Sequence, residues 1–261
     1  MVDFRNSARR IPSRRIPYLI GFVSLGLLLC VLYAQEHRPH WSYKGEGGPE
    51  HWGDLNPEYT VCKTGHDQSP IDIVNPVAEK LPPIDFHYSP SPLKIIDNGH
   101  TVQVNYAPGS YINVGGKRYD LVQFHFHHPS EEEINGSRND LVIHLVHKNA
   151  EGKIAVVAVL FNQGAANPVI DTMANHLPTT KEREMPTDAT VNAADLLPAQ
   201  RGYYTFTGSL TTPPCTEGVR WFVLQTPSTL SKASFDKLAT LYPDNARPVQ
   251  PLNGRVVKKS E

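Results

Sequence analysis

The segment Gln123-Phe124-His125-Phe126-His127 constrains this chain more than any other. Side chains alternate along an extended backbone, so a strand here puts both histidines on one face and both phenylalanines on the other. Neutral imidazole is the commonest protein metal ligand. A second apolar run, Leu141 to His147, can pair with the first and bring a third nitrogen from His144. Three histidines with an open fourth position form the pattern of a catalytic rather than a structural zinc. His144 and His147 have opposite parity, and spacing alone does not choose between them. With 12 histidines in the chain, close pairs also arise by chance. A cupin-type metal site is a rival, because His125-x-His127 is followed by Glu131. No second cupin motif, a Pro-x-Gly turn leading shortly to a histidine, follows.

The amino terminus reads as a targeting segment. Arg5, Arg9, Arg10, Arg14 and Arg15 precede the uncharged run Ile16 to Ala34, the layout of a secretory signal. Residues 1–34 carry these five arginines against Asp3, a net of +4, so with −1 overall the remainder sits at −5. The run is also near the lower length for a membrane span, and Leu32 is a poor residue for cleavage after Ala34. Two readings stand: a cleaved signal peptide, or an anchor with its arginines in the cytoplasm. Both export the domain of residues 35–261 to the periplasm or beyond, in the second case tethered to the inner membrane by residues 16–34. A mildly acidic body gives no reason to invoke nucleic acid. Membrane contact is expected only through the uncleaved leader. Outside the leader there are two cysteines, Cys62 and Cys215. In an oxidising compartment they pair readily, and two buried thiols are the alternative.

The remaining chain reads as one β-rich domain. Short apolar runs recur at Leu93–Ile96, Thr101–Tyr106, Tyr119–Phe126, Leu141–His147, Ile154–Phe161 and Trp221–Gln225. Asn98-Gly99, Gly115-Gly116, Asn135-Gly136 and Glu151-Gly152 punctuate them as turns. The best helix candidates are Asn167–His176 and Ser231–Leu241, the latter with Ser231 as N-cap. The 23 prolines favour loops and edges over long helices.

The order of several motifs resembles the bacterial alpha-class carbonic anhydrases, from about His40 to Arg255. The matching landmarks begin with His40-Trp41-Ser42-Tyr43, Gly48-Pro49-Glu50-His51-Trp52, Gln68-Ser69-Pro70-Ile71-Asp72-Ile73 and Asn98-Gly99-His100. They continue with Gln123 to His127, Pro129-Ser130-Glu131, His144-Leu145-Val146-His147, Ser209 to Cys215 and Arg247-Pro248-Val249-Gln250-Pro251-Leu252. The resemblance implies a mainly β (α+β) single domain: a large twisted, mostly antiparallel sheet with short peripheral helices. It implies a Cys62–Cys215 disulfide. It also implies a Zn2+ cofactor held by His125, His127 and His144, which leaves His147 a buried structural residue. The expected reaction is reversible hydration of carbon dioxide to bicarbonate and a proton, by attack of zinc-bound hydroxide. The near-neutral pKa of zinc-bound water is a value measured on carbonic anhydrase itself.

The same resemblance distributes roles. Thr211 donates to Glu131 and orients the hydroxide, and Thr212 helps hold bicarbonate. Val146, Val156, Leu210 and Trp221 form the apolar wall for a linear uncharged substrate. His100 exports the proton, with Tyr43, Asn98 and Gln103 ordering the connecting waters. Gln123 is an outer partner of the ligand histidines. Carbon dioxide, bicarbonate and water are the partners implied, with monomer and homodimer both open.

Three positions depart from the family pattern. Val142 stands where the animal enzymes carry a glutamate, Glu132 where many members carry histidine, and Phe206 where a tyrosine is often found. Val142 cannot accept a hydrogen bond from His144. We expect Glu132 to take over that task; the alternative is a solvated Glu132, with water or a backbone carbonyl serving His144. Two other functional classes bear on the chain: a catalytically silent carbonic-anhydrase-like binding module, which typically lacks a zinc histidine, and a cupin-like oxygenase, which needs redox-active iron.

Overall fold

Turn residues at regular intervals cut the chain into many strands and few helices. The computed structural model describes residues 40–261. The expected leader, residues 1–34, lies outside the described residues. In chain order the strands are β1 (Asp72–Ile73), β2 (Val77–Glu79), β3 (Asp85–His87), β4 (Ser91–Asp97) and β5 (Val102–Asn105). Next come β6 (Tyr111–Val114), β7 (Lys117–His127), β8 (Glu133–Ile134), β9 (Leu141–Lys148) and β10 (Ile154–Gln163). The last are β11 (Met185–Val191), β12 (Tyr203–Ser209), β13 (Glu217–Leu224), β14 (Ser228–Leu230) and β15 (Lys258–Ser260).

Thirteen of these strands form one sheet, whose central order is β4-β5-β7-β9-β10-β13-β12. The sheet is mixed rather than purely antiparallel. β10 runs parallel to β13 and to β14, and β15 runs parallel to β2. The β10–β13 register places Val156 directly beside Trp221. The longer helices are peripheral. Pro168–Asn175 is capped by Asn167, whose side chain accepts from the N–H groups of Val169 and Ile170. Lys232–Leu241 is capped by Ser231, which accepts from Ser234 N–H. Both sites fit the preference for short polar side chains at N-caps. No helix among the described residues is long and apolar enough to cross a membrane.

One irregularity decides which side chains face which way. Leu121 pairs with His147 and Gln123 with Val146, so β7 carries one extra residue, Val122, against β9. A bulge of this kind reverses the parity of a strand. Before it, Tyr119 and Leu121 join the larger core; after it, Phe124 and Phe126 do. Gln123, His125 and His127 are thereby turned to the opposite face. That face has its own smaller apolar cluster, which includes Val142, Val156, Phe206 and Trp221. Phe124 and Phe126 are fully buried, which contributes about 1.5–3 kcal/mol each by removing apolar surface from water.

A disulfide joins Cys62 to Cys215 across 153 residues, with Cα atoms 5.0 Å apart. Both cysteines pack against Trp52, which is fully buried. Closing so long a loop removes entropy from the unfolded chain, worth about 5 kcal/mol in the loop-closure account. We expect non-reducing peptide mapping of the purified protein, kept unreduced, to recover these two cysteines linked. The Cys62→Ser/Cys215→Ser variant is expected to lose about 2–5 kcal/mol in denaturant unfolding. An unchanged unfolding midpoint, or both thiols alkylated without reduction, contradicts this.

Candidate active site

The pairing of β7 with β9 sets His125 directly opposite His144, and His127 opposite Val142. His144 therefore shares a face with His125 and His127. His147 lies on the other face, where its Nε2 is 2.8 Å from the Tyr88 hydroxyl. The three histidines of the shared face each offer one ring nitrogen, and these atoms all lie within 4.8 Å of one another. His127 and His144 are buried and His125 nearly so.

Each ring is held by its outer nitrogen. His125 Nδ1 is 2.9 Å from Gln123 Oε1, two residues earlier on the same strand face. His127 Nδ1 donates to the carbonyl of Asn245 at 2.7 Å. His144 Nε2 is 3.0 Å from Glu132 Oε1. Glu132 is fully buried, and no acceptor comes from Val142 two residues before His144. With the outer atoms engaged, the inner nitrogens are Nε2 of His125, Nε2 of His127 and Nδ1 of His144. His127 Nε2 is buried and has no hydrogen-bond partner. An orphaned buried nitrogen costs free energy unless something fills the position it addresses. Convergent imidazole nitrogens with polar outer partners are the donor set that a zinc ion takes.

The electrostatics agree. Burial, followed by the nearby His144, pulls His125 down to about 3, and burial likewise holds His127 well below its ordinary value. Both rings are thus kept neutral, the state a metal ligand needs. For His144 burial also opposes charge, but the Glu132 carboxylate and then Glu131 outweigh it, and its pKa is raised. Two buried carboxylates beside three imidazoles make a place that favours a cation.

Glu131 occupies the next layer. It is fully buried, and its Oε1 accepts from the backbone N–H of Arg247 at 2.8 Å. Burial pushes its carboxyl up to about 7, against the opposing influence of His144, the Thr211 hydroxyl and the Arg247 N–H. Thr211 itself is buried, and Thr212 half-buried. The strand leading to them is fixed by a reciprocal pair: Ser69 N–H donates to Ser209 Oγ at 2.9 Å, and Ser209 N–H donates to Ser69 Oγ at 3.1 Å. Trp221 Nε1 donates to the Ser209 carbonyl at 3.1 Å. Gly208 permits this closeness, since a Cβ there would sit 2.1 Å from Ser69 Oγ.

Val156 and Trp221 are buried on the face of the three histidines, with partly buried Val146 and Leu210 packed against the same cluster. Phe206 stacks parallel to Trp221 with ring centroids 6.1 Å apart, which gives the departure from tyrosine an apolar packing role.

His100 sits farther out, half-buried at the Asn98-Gly99 turn. Asn98 Oδ1 accepts from His100 N–H at 3.0 Å and from Thr101 N–H at 2.9 Å. The imidazole lies flat on Trp41, centroids 3.5 Å apart and planes 7° apart, with His40 stacked nearby at 5.3 Å. Burial and then the charge of His40 lower its pKa to about 4. Asn98 Nδ2 donates to Gln103 Oε1 at 3.3 Å, and the buried Tyr43 hydroxyl has no partner.

Three supporting residues were not identified as such from sequence. Asn245 gives its carbonyl to His127, its Oδ1 to His128 N–H, and its amide group to the carbonyls of His100 and Phe126. Arg247 is buried, with its guanidinium bound to Gln68 Oε1, to the Ser69 carbonyl and to the Cys62 carbonyl. Gln68 Nε2 in turn donates to the Cys215 carbonyl at 3.1 Å. The motifs containing Arg247 and Gln68 were visible; the backbone groups they serve carry no residue signature.

Comparison with known proteins matches this geometry. Residues 47–261 fit the family model described as eukaryotic-type carbonic anhydrase. A carbonic anhydrase of Klebsiella pneumoniae is 47% identical over 221 residues, covering 84% of this chain and 90% of that protein. One from Pectobacterium carotovorum is 41% identical over 240 residues, covering 91% and 98%. The solved alpha-carbonic anhydrase of Thermovibrio ammonificans, bound to the inhibitor sulfanilamide, superposes with a TM-score of 0.81 at 43% identity. It covers 85% of this chain and 99% of that one. The chain belongs to the eukaryotic-type, or alpha, carbonic anhydrase family, and is an enzyme of that kind.

Proposed function

We propose that the chain hydrates carbon dioxide reversibly at a zinc ion held by His125, His127 and His144, with Thr211 and Glu131 orienting the nucleophile and His100 relaying the proton. The convergence of three outward-anchored imidazoles, one with an orphaned buried nitrogen, carries this reading. Zinc supplies a Lewis acid that brings the ionisation of water to near pH 7, a figure measured on carbonic anhydrase itself. The rest is the work of this chain's residues.

Gln123, Glu132 and the Asn245 carbonyl fix the ring planes and tautomers, so the three inner nitrogens converge before any metal arrives. Thr211 can donate one hydrogen bond and accept another. Donation to ionised Glu131 leaves its oxygen to accept from the attacking group, which aims a lone pair at carbon. The Arg247 N–H and a positive charge at the imidazoles both favour the ionised form of Glu131. Val146, Val156, Leu210 and Trp221 offer an apolar wall suited to a small linear substrate without charge. Thr212, beside them, offers a hydroxyl to the product oxygen.

Proton removal falls to His100 through waters ordered by Tyr43, Asn98 and Gln103. Stacked on Trp41, with a pKa near 4, the ring carries little charge at neutral pH. Its relay role therefore belongs to a position turned off Trp41 toward solvent, where the ordinary value near 6.5 returns. The iron oxygenase alternative has no support from the family, and the silent-module alternative is opposed by the complete histidine triad.

Three measurements test this reading. His125→Ala, His127→Ala or His144→Ala is expected to lose both bound zinc and carbon dioxide hydration, whereas His147→Ala retains zinc. Full zinc occupancy in His144→Ala contradicts it. His100→Ala is expected to slow turnover in weak buffer with kcat/KM nearly unchanged, and added imidazole should restore the rate. Undiminished turnover in weak buffer removes His100 from the mechanism. Glu132→Gln is expected to weaken zinc binding by roughly 10–100-fold in chelator competition at neutral pH. The pH profile supplies the sign. Protons compete with zinc at His144, whose pKa the Glu132 charge raises, so zinc affinity falls as pH falls through that value. Removing the charge should move this fall to lower pH. An unshifted profile with full affinity contradicts the role of Glu132.

A further inference from the structure

The opposite face of the same sheet holds a cavity of about 400 Å3 that the carbon dioxide chemistry does not use. Its floor is aromatic. Tyr119, Tyr203 and Phe222 line it, and all three are buried members of the larger core, away from the apolar cluster of the metal face. Phe222 follows Trp221 on β13, so strand alternation sends one ring to each face. The Tyr203 hydroxyl donates to the Pro82 carbonyl at 2.6 Å, which ties the floor to the wall.

The rim is cationic. Lys117, Lys153 and Arg220 line the cavity, and no Asp or Glu does. These three cations make no salt bridge among the described residues, whereas Arg118, adjacent on β7, is paired with Asp120 at 2.6 Å. Arg220 is set above the floor, its guanidinium carbon 5.8 Å from the Phe222 ring centre. Lys117 is fixed by the two-residue turn between β6 and β7, in which Val114 pairs with Lys117 and Gly115 and Gly116 have φ of +54° and +74°. Both central positions of this tight hairpin need positive φ, which glycine supplies without strain. The three cations thus come from a hairpin turn, the β9–β10 connection and β13, converging on one hollow.

A concave site of this volume falls within the range for small ligands, about 300–1,000 Å3, where apolar walls supply affinity and a few polar groups fix orientation. We propose that this cavity is a second ligand site, for a small organic anion with an aromatic body and a carboxylate head. The ring sits in the hollow against the accessible edges of Tyr119, Tyr203 and Phe222, and the carboxylate faces Lys117, Lys153 and Arg220. Unpaired cations around a hollow that is part apolar and part polar select against cations, and a neutral ring gains nothing from them.

The test uses zinc-loaded enzyme with sulfanilamide covering the metal, and 2-naphthoate as the probe in isothermal titration calorimetry. One equivalent is expected to bind. The variant Lys117→Gln/Lys153→Gln/Arg220→Gln should weaken this at least about tenfold, since it removes charge-assisted hydrogen bonds. The uncharged 2-naphthalenemethanol should bind the parent enzyme more weakly by a similar factor. Carbon dioxide hydration and zinc content of the variant should match the parent, which separates this site from the metal centre. The proposal is overturned if 2-naphthoate does not bind at millimolar concentration, if sulfanilamide displaces it, or if the triple variant binds it equally well.

Discussion

Burying three imidazoles around a common point is possible only if each outer nitrogen finds a partner inside the protein. A buried polar group without one costs about 1–3 kcal/mol, and here three must be satisfied within a few ångströms. The chain supplies them from three directions: Gln123 from the same strand, Glu132 from the loop that follows it, and the Asn245 carbonyl from the far C-terminal segment. Much of the architecture around the site follows from the need to bring these three together. The bulge at Val122 turns the ligand face of β7 inward, and the β9 register sets His144 against His125. Asn245 is locked by its own side chain to the backbone at His100, Phe126 and His128.

A second layer of buried polar groups holds Glu131 and Thr211. Arg247 is the hub. Its backbone N–H fixes Glu131, and its guanidinium gathers Gln68, Ser69 and Cys62. Gln68 then reaches the Cys215 carbonyl, four residues beyond Thr211. The disulfide and the Thr211 segment are therefore joined by hydrogen bonds as well as by the chain. A buried arginine is costly unless it is hydrogen-bonded, and the carbonyls it gathers serve that end. Removing Arg247 would leave several acceptors unpaired at once, so its effect would extend beyond the carboxylate it positions.

How much of this was legible in the sequence depended on where the information resided. Alternation of histidine and phenylalanine declared a strand with one polar face, both longer helices were expected close to their observed spans, and Ser231 announced the start of Lys232–Leu241, while the capping by Asn167 was not anticipated. The choice of His144 over His147 was not legible from spacing, because it depends on pairing register and on one extra residue at Val122. Parallel pairing of β10 with β13 was also invisible, since hydrophobic periodicity reports the faces of a strand and not its neighbours. Asn245 escaped notice because it serves His127 through a backbone carbonyl, which every residue possesses. Glu132 was legible for the opposite reason: the loss of a carboxylate at Val142 left His144 needing one.

The central claim is that three imidazoles with pre-set ring planes hold zinc and leave one position open. Zinc K-edge X-ray absorption on the purified enzyme addresses it most directly. The account predicts three imidazole nitrogens and one further light atom at about 2.0–2.1 Å, with the multiple scattering of histidine rings. A sulfur shell at about 2.3 Å, or two imidazoles with the carboxylate of Glu131 or Glu132 bound to the metal, would contradict it.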